Sequence, residues 1–222
     1  YAEMMPFNTS WSEIQQKNPR GIILSGSPAF LSQPNAPRCA KEVFTSSIPV
    51  LGICYGMHLM AEQLKGEIGA VEKREYGKAQ LNIIKDGQKI LFNKMASKIQ
   101  VWMSHGDQVI GLPKNFITLA STTTCPIASM AGKVLSKNFN KLAIQFHPEV
   151  VHTPHGKDIL KNFVLNICQV KPDWTTGNFI EDTVAEIKAK VEKSQVICGG
   201  SGGVDSAVVA AVQRRWYELL DE

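Results

Sequence analysis

A tight strand-to-helix turn is written into residues 49–64, and it constrains this chain's fold more than any other stretch. Ile48, Val50, Leu51 and Ile53 form a short apolar run of the kind a strand buried on both faces requires. Met57, Leu59, Met60, Ala61, Glu62 and Leu64 are mostly good helix formers. Between them stands Gly52-Ile53-Cys54-Tyr55-Gly56, the spacing of a nucleophile elbow with Cys at its centre. A residue forced into such a turn needs neighbours without side chains, and Gly alone lacks a Cβ. The elbow lifts the Cys54 sulfur above a sheet and sets it at a helix N-terminus, where partial positive charge favours thiolate. The N–H of Tyr55 then points where an oxyanion would form. A buried structural Cys at a strand end is the competing reading, and the two flanking glycines weigh against it.

The chain around the elbow reads as alternating helix and buried strand, the α/β signature. Residues 1–20 are mostly loop with one short helix, capped by Thr9, Ser10 or Ser12 and stopped by Pro19. Residues 21–24 read as a buried strand. It runs into the small-residue loop Ser25-Gly26-Ser27-Pro28, at the sheet edge where α/β proteins bind ligands. Residues 37–45 read as a helix. From Gly66 to Met130 alternating strands are expected at 78–84, 99–103, 116–120 and 126–130, added antiparallel to the edge of a parallel core. Ser104-His105-Gly106-Asp107 falls among them, and His-Gly-Asp taken alone is a solvated turn.

Residues 141–146 form a further strand that delivers His147-Pro148-Glu149. Side chains alternate in extended backbone, so His147 and Glu149 share a side. Pro148 fixes its own φ and biases His147 toward extended conformation. A Cys nucleophile needs a base and the base needs an orienter; this tripeptide supplies both. A plain strand-end loop is the rival. His147, His152 and His155 fit no zinc spacing, and no metal is expected.

Residues 156–168 form an amphipathic helix with Ile159, Leu160, Phe163, Val164 and Ile167 on one face. Residues 172–177 have linker composition. A second helix follows on Phe179, Ile180, Val184, Ile187 and Val191, then a strand at 196–198. Next comes Gly199-Gly200-Ser201-Gly202-Gly203-Val204-Asp205-Ser206, with a helix from Ala207. Strand, Gly-rich loop and helix make a phosphate cradle, without the Lys of an ordinary P-loop. A flexible linker is the alternative.

Bulk properties narrow the class. With 44% hydrophobic and 20% charged residues among 222, and a net charge of +4, the chain is an ordinary globular one with no basic run for nucleic acid. Five widely spaced cysteines without a C-x-x-C pair point to reduced thiols and the cytoplasm. No apolar run reaches the length of a membrane span. Tyr1 is not a natural start, and we read the chain as part of something longer.

Taken in order, these motifs resemble the triad-type, or class I, glutamine amidotransferase family. The resemblance rests on Cys54 in Gly-Ile-Cys-Tyr-Gly, on His147 and Glu149 in Gln-Phe-His-Pro-Glu-Val, and on the loop at Leu24 to Pro28. Arg74-Glu75-Tyr76-Gly77, Val101 to Asp107 and Ser201 to Ser206 resemble the branch whose second domain, an ATP pyrophosphatase, aminates XMP to GMP. The resemblance implies a mixed, mainly parallel open sheet flanked by helices, flavodoxin-like, followed by the first strand-loop-helix of a second α/β domain. It implies an amidotransferase domain at 1–170 lacking its N-terminal part, a linker at 171–177 and the start of the pyrophosphatase domain at 178–222.

The implied site has Cys54, His147 and Glu149 as the catalytic triad, and Gly26, Ser27 and Tyr55 as the oxyanion hole. His58, Ser104, His105, Gly106 and Asp107 hold glutamine, and Ser201, Gly202, Gly203, Val204, Asp205 and Ser206 hold pyrophosphate. Glutamine, ATP and XMP are the implied small molecules. ATP and Mg²⁺ serve only the synthetase half, the glutaminase half uses no cofactor, and two copies would pair through a later C-terminal part. The chain departs from the family pattern at Ser27, at His58 and at Gly199-Gly200, which stands where apolar or small residues are usual. Ser27 stands for a Gly, which implies strain if its φ is positive, and His58 stands for a Gln. A γ-glutamyl hydrolase of the same fold is one alternative, but it leaves Ser201 to Ser206 unexplained. A catalytically silent binding module is another, and electrophile labelling at Cys54 separates it.

Overall fold

The computed structural model describes residues 2–172, 176–191, 203, 208–211 and 214, and at 71–74 and 176–180 the backbone alone. The chain divides into two compact units, Glu3–Lys171 and a second formed by Pro172–Glu222 with Tyr1–Ala2. The second contributes α6 (Thr176–Val191), over the expected stretch, and its described residues at 208–211 and 214 are helical, where a helix was expected from Ala207. The strand at 196–198 and the loop at 199–206, Gly203 excepted, lie outside the described residues. No helix among the described residues is long and apolar enough to cross a membrane.

The larger unit is built on one seven-stranded sheet. Its strands are β1 (Ile22–Leu24), β2 (Val50–Ile53), β3 (Glu67–Ile83), β4 (Lys98–Gly111), β5 (Phe116–Ser121), β6 (Ser129–Gly132) and β7 (Lys141–Ile144). They lie in the order β1-β2-β7-β6-β5-β3-β4. The first three pair parallel, and the remaining pairings are antiparallel. The sheet is therefore mixed, as expected, but mainly antiparallel rather than mainly parallel, with two parallel pairings against four antiparallel ones. The reason is β3 and β4. Each is far longer than the expected 78–84 and 99–103, because glycines and charges in 66–77 and 104–107 hide a ladder that pairs Tyr76 with Ser104 and Glu75 with His105. His-Gly-Asp is thus strand, not turn.

β2 and β7 are buried on both faces, and their neighbours alternate between two apolar clusters. Leu51, Ile53, Leu142 and Ile144 join Phe92, Phe146, Ile159 and Phe163. Val50 and Ala143 join Phe44, Met57 and Met60. Burial on both sides is why these strands read as continuous apolar runs.

The helices follow local rules. Ser10 caps α1 (Trp11–Gln16) in a capping box with Glu13. The helix ends before Pro19, with Asn18 at φ 47°. The helix expected at 37–45 shrinks to α2 (Glu42–Thr45), because Arg38 is tied to Glu62 and to the Leu31 carbonyl. α3 (Tyr55–Gln63) follows the elbow, and α4 (Lys85–Lys89) follows β3. The amphipathic stretch after Gly156 is α5 (Gly156–Lys161) continued by a π-helical turn over Asn162–Ile167. Asn162 Nδ2 there donates to the carbonyls of Leu91 and Asn93 at 2.9 and 3.1 Å.

Candidate functional site

The elbow forms as its glycines require. Cys54 sits at φ 50°, ψ −104°, a conformation an L-residue holds only when its surroundings impose it. A Cβ on Gly52 would lie 2.5 Å from the Gly56 carbonyl oxygen, and one on Gly56 would lie 2.5 Å from that of Leu24. Both glycines are therefore fixed by close backbone approach. The Cys54 N–H donates to the Ile144 carbonyl at 2.8 Å, tying the elbow to the end of β7. Residues 145–149 leave that same strand end. Cys54 and His147 thus come from the C-terminal ends of adjacent parallel strands, the edge where open α/β sheets bind ligands.

His147 Nδ1–H donates to Glu149 Oε1 at 2.6 Å, which leaves Nε2 as the basic nitrogen. Glu149 is about half exposed, so the pair meets solvent on one side. Gly26 lies against both partners. A Cβ placed on it would meet His147 Cε1 at 3.0 Å and Cys54 Cβ at 3.7 Å. Ser27 is not among the residues with positive φ, so the strain expected there is absent. Its hydroxyl instead accepts the Ala29 N–H at 3.2 Å and braces the loop.

The thiol differs from expectation. Burial pushes Cys54 up to about 11, against the pull of the Tyr55 N–H and Gln145, and the Glu149 charge adds to the rise. That direction is opposite to the one a helix N-terminus alone would give. The thiol donates to the Ser104 carbonyl at 3.6 Å.

A small pocket of about 60 Å³ opens beside the sulfur, lined by Ser27, Pro28, Tyr55, His58, His105 and Asp107 among others. Gly106 lines it too, but Ser104 does not, its contribution being the carbonyl under the thiol. His58 is buried, and burial holds its imidazole below the ordinary value. Its Nε2 lies 2.8 Å from Gln145 Oε1, and Gln145 Nε2 lies 3.9 Å from Cys54 Sγ. With Nε2–H donating, the amide of Gln145 turns its N–H groups toward the sulfur. Gln145 escaped the sequence reading, although strand alternation puts it on the side of His147.

Glu75, His105 and Cys125 bring ligand atoms within 4.8 Å of one another, a spacing that could hold a metal ion. Glu75 and His105 already have partners. His105 Nε2 lies 3.2 Å from Glu75 Oε2 and its Nδ1 2.9 Å from the Asp107 carbonyl, while Thr122 donates to Glu75 at 3.0 Å. Burial pulls the Glu75 carboxyl upward, yet hydrogen bonds from His105, Thr124 and Thr122 bring it below the usual range. Burial, with the Glu75 charge, raises Cys125 to about 12.

The wider comparison agrees with this architecture. Residues 1–167 match the family described as "Glutamine amidotransferase class-I". The chain belongs to that family. Among curated proteins it is 46% identical over 212 residues to "GMP synthase [glutamine-hydrolyzing]" of Syntrophomonas wolfei subsp. wolfei, covering 96% of this chain and 40% of the relative. It is 48% identical to the protein of the same name from Clostridium botulinum (strain Kyoto / Type A2), with the same coverage. The chain thus spans about 40% of the length of these relatives. Among solved structures, a putative GMP synthase subunit from Thermoplasma acidophilum is 32% identical, with a TM-score of 0.53, over 58% of this chain and 62% of that one. A glutamine amido transferase from Methylobacillus flagellatus, 17% identical with a TM-score of 0.51 over 60% and 53% of the two chains, shares the fold.

Proposed function

We propose that this chain hydrolyses glutamine to glutamate and ammonia, as the glutaminase part of a GMP synthase. The observation that carries the reading is the convergence on Gly26, whose backbone lies against both the His147 ring and the Cys54 side chain. Nucleophile, base and a candidate oxyanion loop meet at one point. In this mechanism His147 Nε2 takes the Cys54 proton as sulfur attacks the side-chain amide carbon. The oxyanion is held by the N–H groups of Tyr55 and the Gly26-Ser27 loop. His147 returns the proton to the departing nitrogen as the C–N bond breaks, and ammonia leaves. Water, deprotonated by the same ring, then cleaves the thioester. Glu149 fixes the ring tautomer through its 2.6 Å bond. His58, His105, Gly106 and Asp107 wall the pocket that receives glutamine, and the Ser104 carbonyl holds the resting thiol.

On this reading the ammonia serves amination of XMP by a synthetase domain that uses ATP and Mg²⁺. Residues 178–222 begin that domain after a linker at 171–177, and Ser201, Gly202, Gly203, Val204, Asp205 and Ser206 take the pyrophosphate. The relatives' name and the Gly-rich composition of that loop support it. The setting is the cytoplasm, in keeping with the free thiols of Cys39, Cys54, Cys125 and Cys168.

The test is ammonia release from glutamine, alongside labelling by a glutamine-analogue diazo-ketone. Wild type should be modified at Cys54, and Cys54→Ala should release no ammonia. Hydrolysis persisting in Cys54→Ala would overturn the assignment.

A further inference from the structure

We propose that Thr153 is a positioning residue for His147, locking the base to the same strand that holds the thiol; this rests on the glutaminase reading above. Thr153 is buried, with 4% of its surface exposed, and its hydroxyl is used twice. It accepts the Trp102 N–H at 3.0 Å and donates to the His147 carbonyl at 2.6 Å. The His147 N–H in turn donates to the Trp102 carbonyl at 3.0 Å. The three bonds close a ring through Trp102, Thr153 and His147, so the main chain of the base is held at both its N–H and its C=O.

The segment that supplies Thr153 is itself rigidly folded back. Thr153 N–H donates to the Val150 carbonyl at 3.0 Å, and its own carbonyl accepts the Gly156 N–H at 2.9 Å. Gly156 packs so closely that any Cβ there would fall 1.8 Å from the Pro148 carbonyl oxygen. His152, next to Thr153, stacks its ring on Trp102 with centroids 4.5 Å apart. The other end of the device is Ser104, two residues beyond Trp102 on β4, whose carbonyl receives the Cys54 thiol. β4 therefore touches base and nucleophile within three residues. Without the Thr153 hydroxyl, a single backbone bond would tie His147 to that strand. The base could then drift while the thiol stayed in place, and misplacement of reacting groups by about 1 Å costs on the order of 100-fold in rate.

The experiment compares Thr153→Val, Thr153→Ala and Thr153→Ser in the 222-residue chain, at a temperature where circular dichroism shows each folded. Thr153→Val keeps shape and loses both bonds; its kcat for glutamine should fall at least about tenfold with KM within about twofold, the signature of an interaction that matters in the transition state. Thr153→Ser keeps the hydroxyl and should restore kcat to within about threefold of wild type. A folded Thr153→Val with wild-type kcat would overturn the proposal, as would a Thr153→Ser as slow as Thr153→Val. Thr153→Ala is read the same way if the Val variant does not fold, and if neither folds the role is structural and the proposal fails. Wild-type chain that neither releases ammonia nor takes the diazo-ketone at Cys54 would instead sink the glutaminase reading itself.

Discussion

Single residues in this protein are decided by tenths of an ångström. Gly26 has an ordinary φ, so its need to be Gly is steric rather than conformational. A methyl there would press on His147 Cε1 at 3.0 Å, and the ring is pinned from behind by Glu149. Gly26→Ala should therefore fold normally yet lose roughly tenfold or more in kcat, read by ammonia release. Gly52 is a different case. A methyl there meets the backbone oxygen of Gly56 at 2.5 Å, where nothing can swing aside. Cys54 was legible from these glycines, as were His147 and Glu149 from the alternation around Pro148. The direction of the thiol's shift was not, because it comes from burial by segments far away in the chain. Ser27 looked like a liability and is a brace, since its hydroxyl finds a local N–H that composition does not announce.

Among the elements, β7 shows best how charge can hide in a strand. Lys141 is fully buried, and its Nζ donates to the carbonyls of Ser46 and Ile48 at 2.8 and 2.6 Å, tying the loop before β2 to the sheet. No carboxylate pairs with it in those bonds, and burial pulls its pKa down to about 8. In the unfolded chain the amine keeps a value near 10.4, so between about pH 8 and 10.4 the unfolded state binds more protons. Stability from this group thus rises with pH across that window and is flat below it. Urea midpoints of wild type and Lys141→Met, measured from pH 7 to 10, should diverge in favour of wild type as pH rises. A constant difference would show that the amine titrates normally. Strands β2 and β7 were readable because burial on both faces makes them uniformly apolar. β3 and β4 were not, because a half-buried ladder with register shifts near Glu67 and between Ala70 and Glu75 breaks alternation. The π-helical turn escaped as well, since Asn162 is satisfied by Leu91 and Asn93, some seventy residues earlier in the chain.

At the scale of the molecule, among the described residues, all seven strands and nearly all of the buried apolar core lie within Glu3–Lys171. A chain cut after Lys171 should keep its cooperative unfolding, with Tm moved by less than about 3 °C, roughly 1 kcal/mol for a protein this size. A non-cooperative melt would show that the later residues complete the core. Strand order has a further consequence for how the protein is made. β7 joins β2 on one side and β6 on the other, so the parallel strands and the antiparallel wing meet only through it. It is also the last of these seven strands in chain order. A chain freed only as far as Gly132 would have two half-sheets with open facing edges and nothing to bridge them, a state prone to wrong pairing and slow to resolve because its missing contacts span about ninety residues. His147 follows three residues after β7 ends, so the strand that closes the sheet also sets where His147 sits, and a chain unfinished at that point has neither the closed sheet nor the bond between His147 and Glu149.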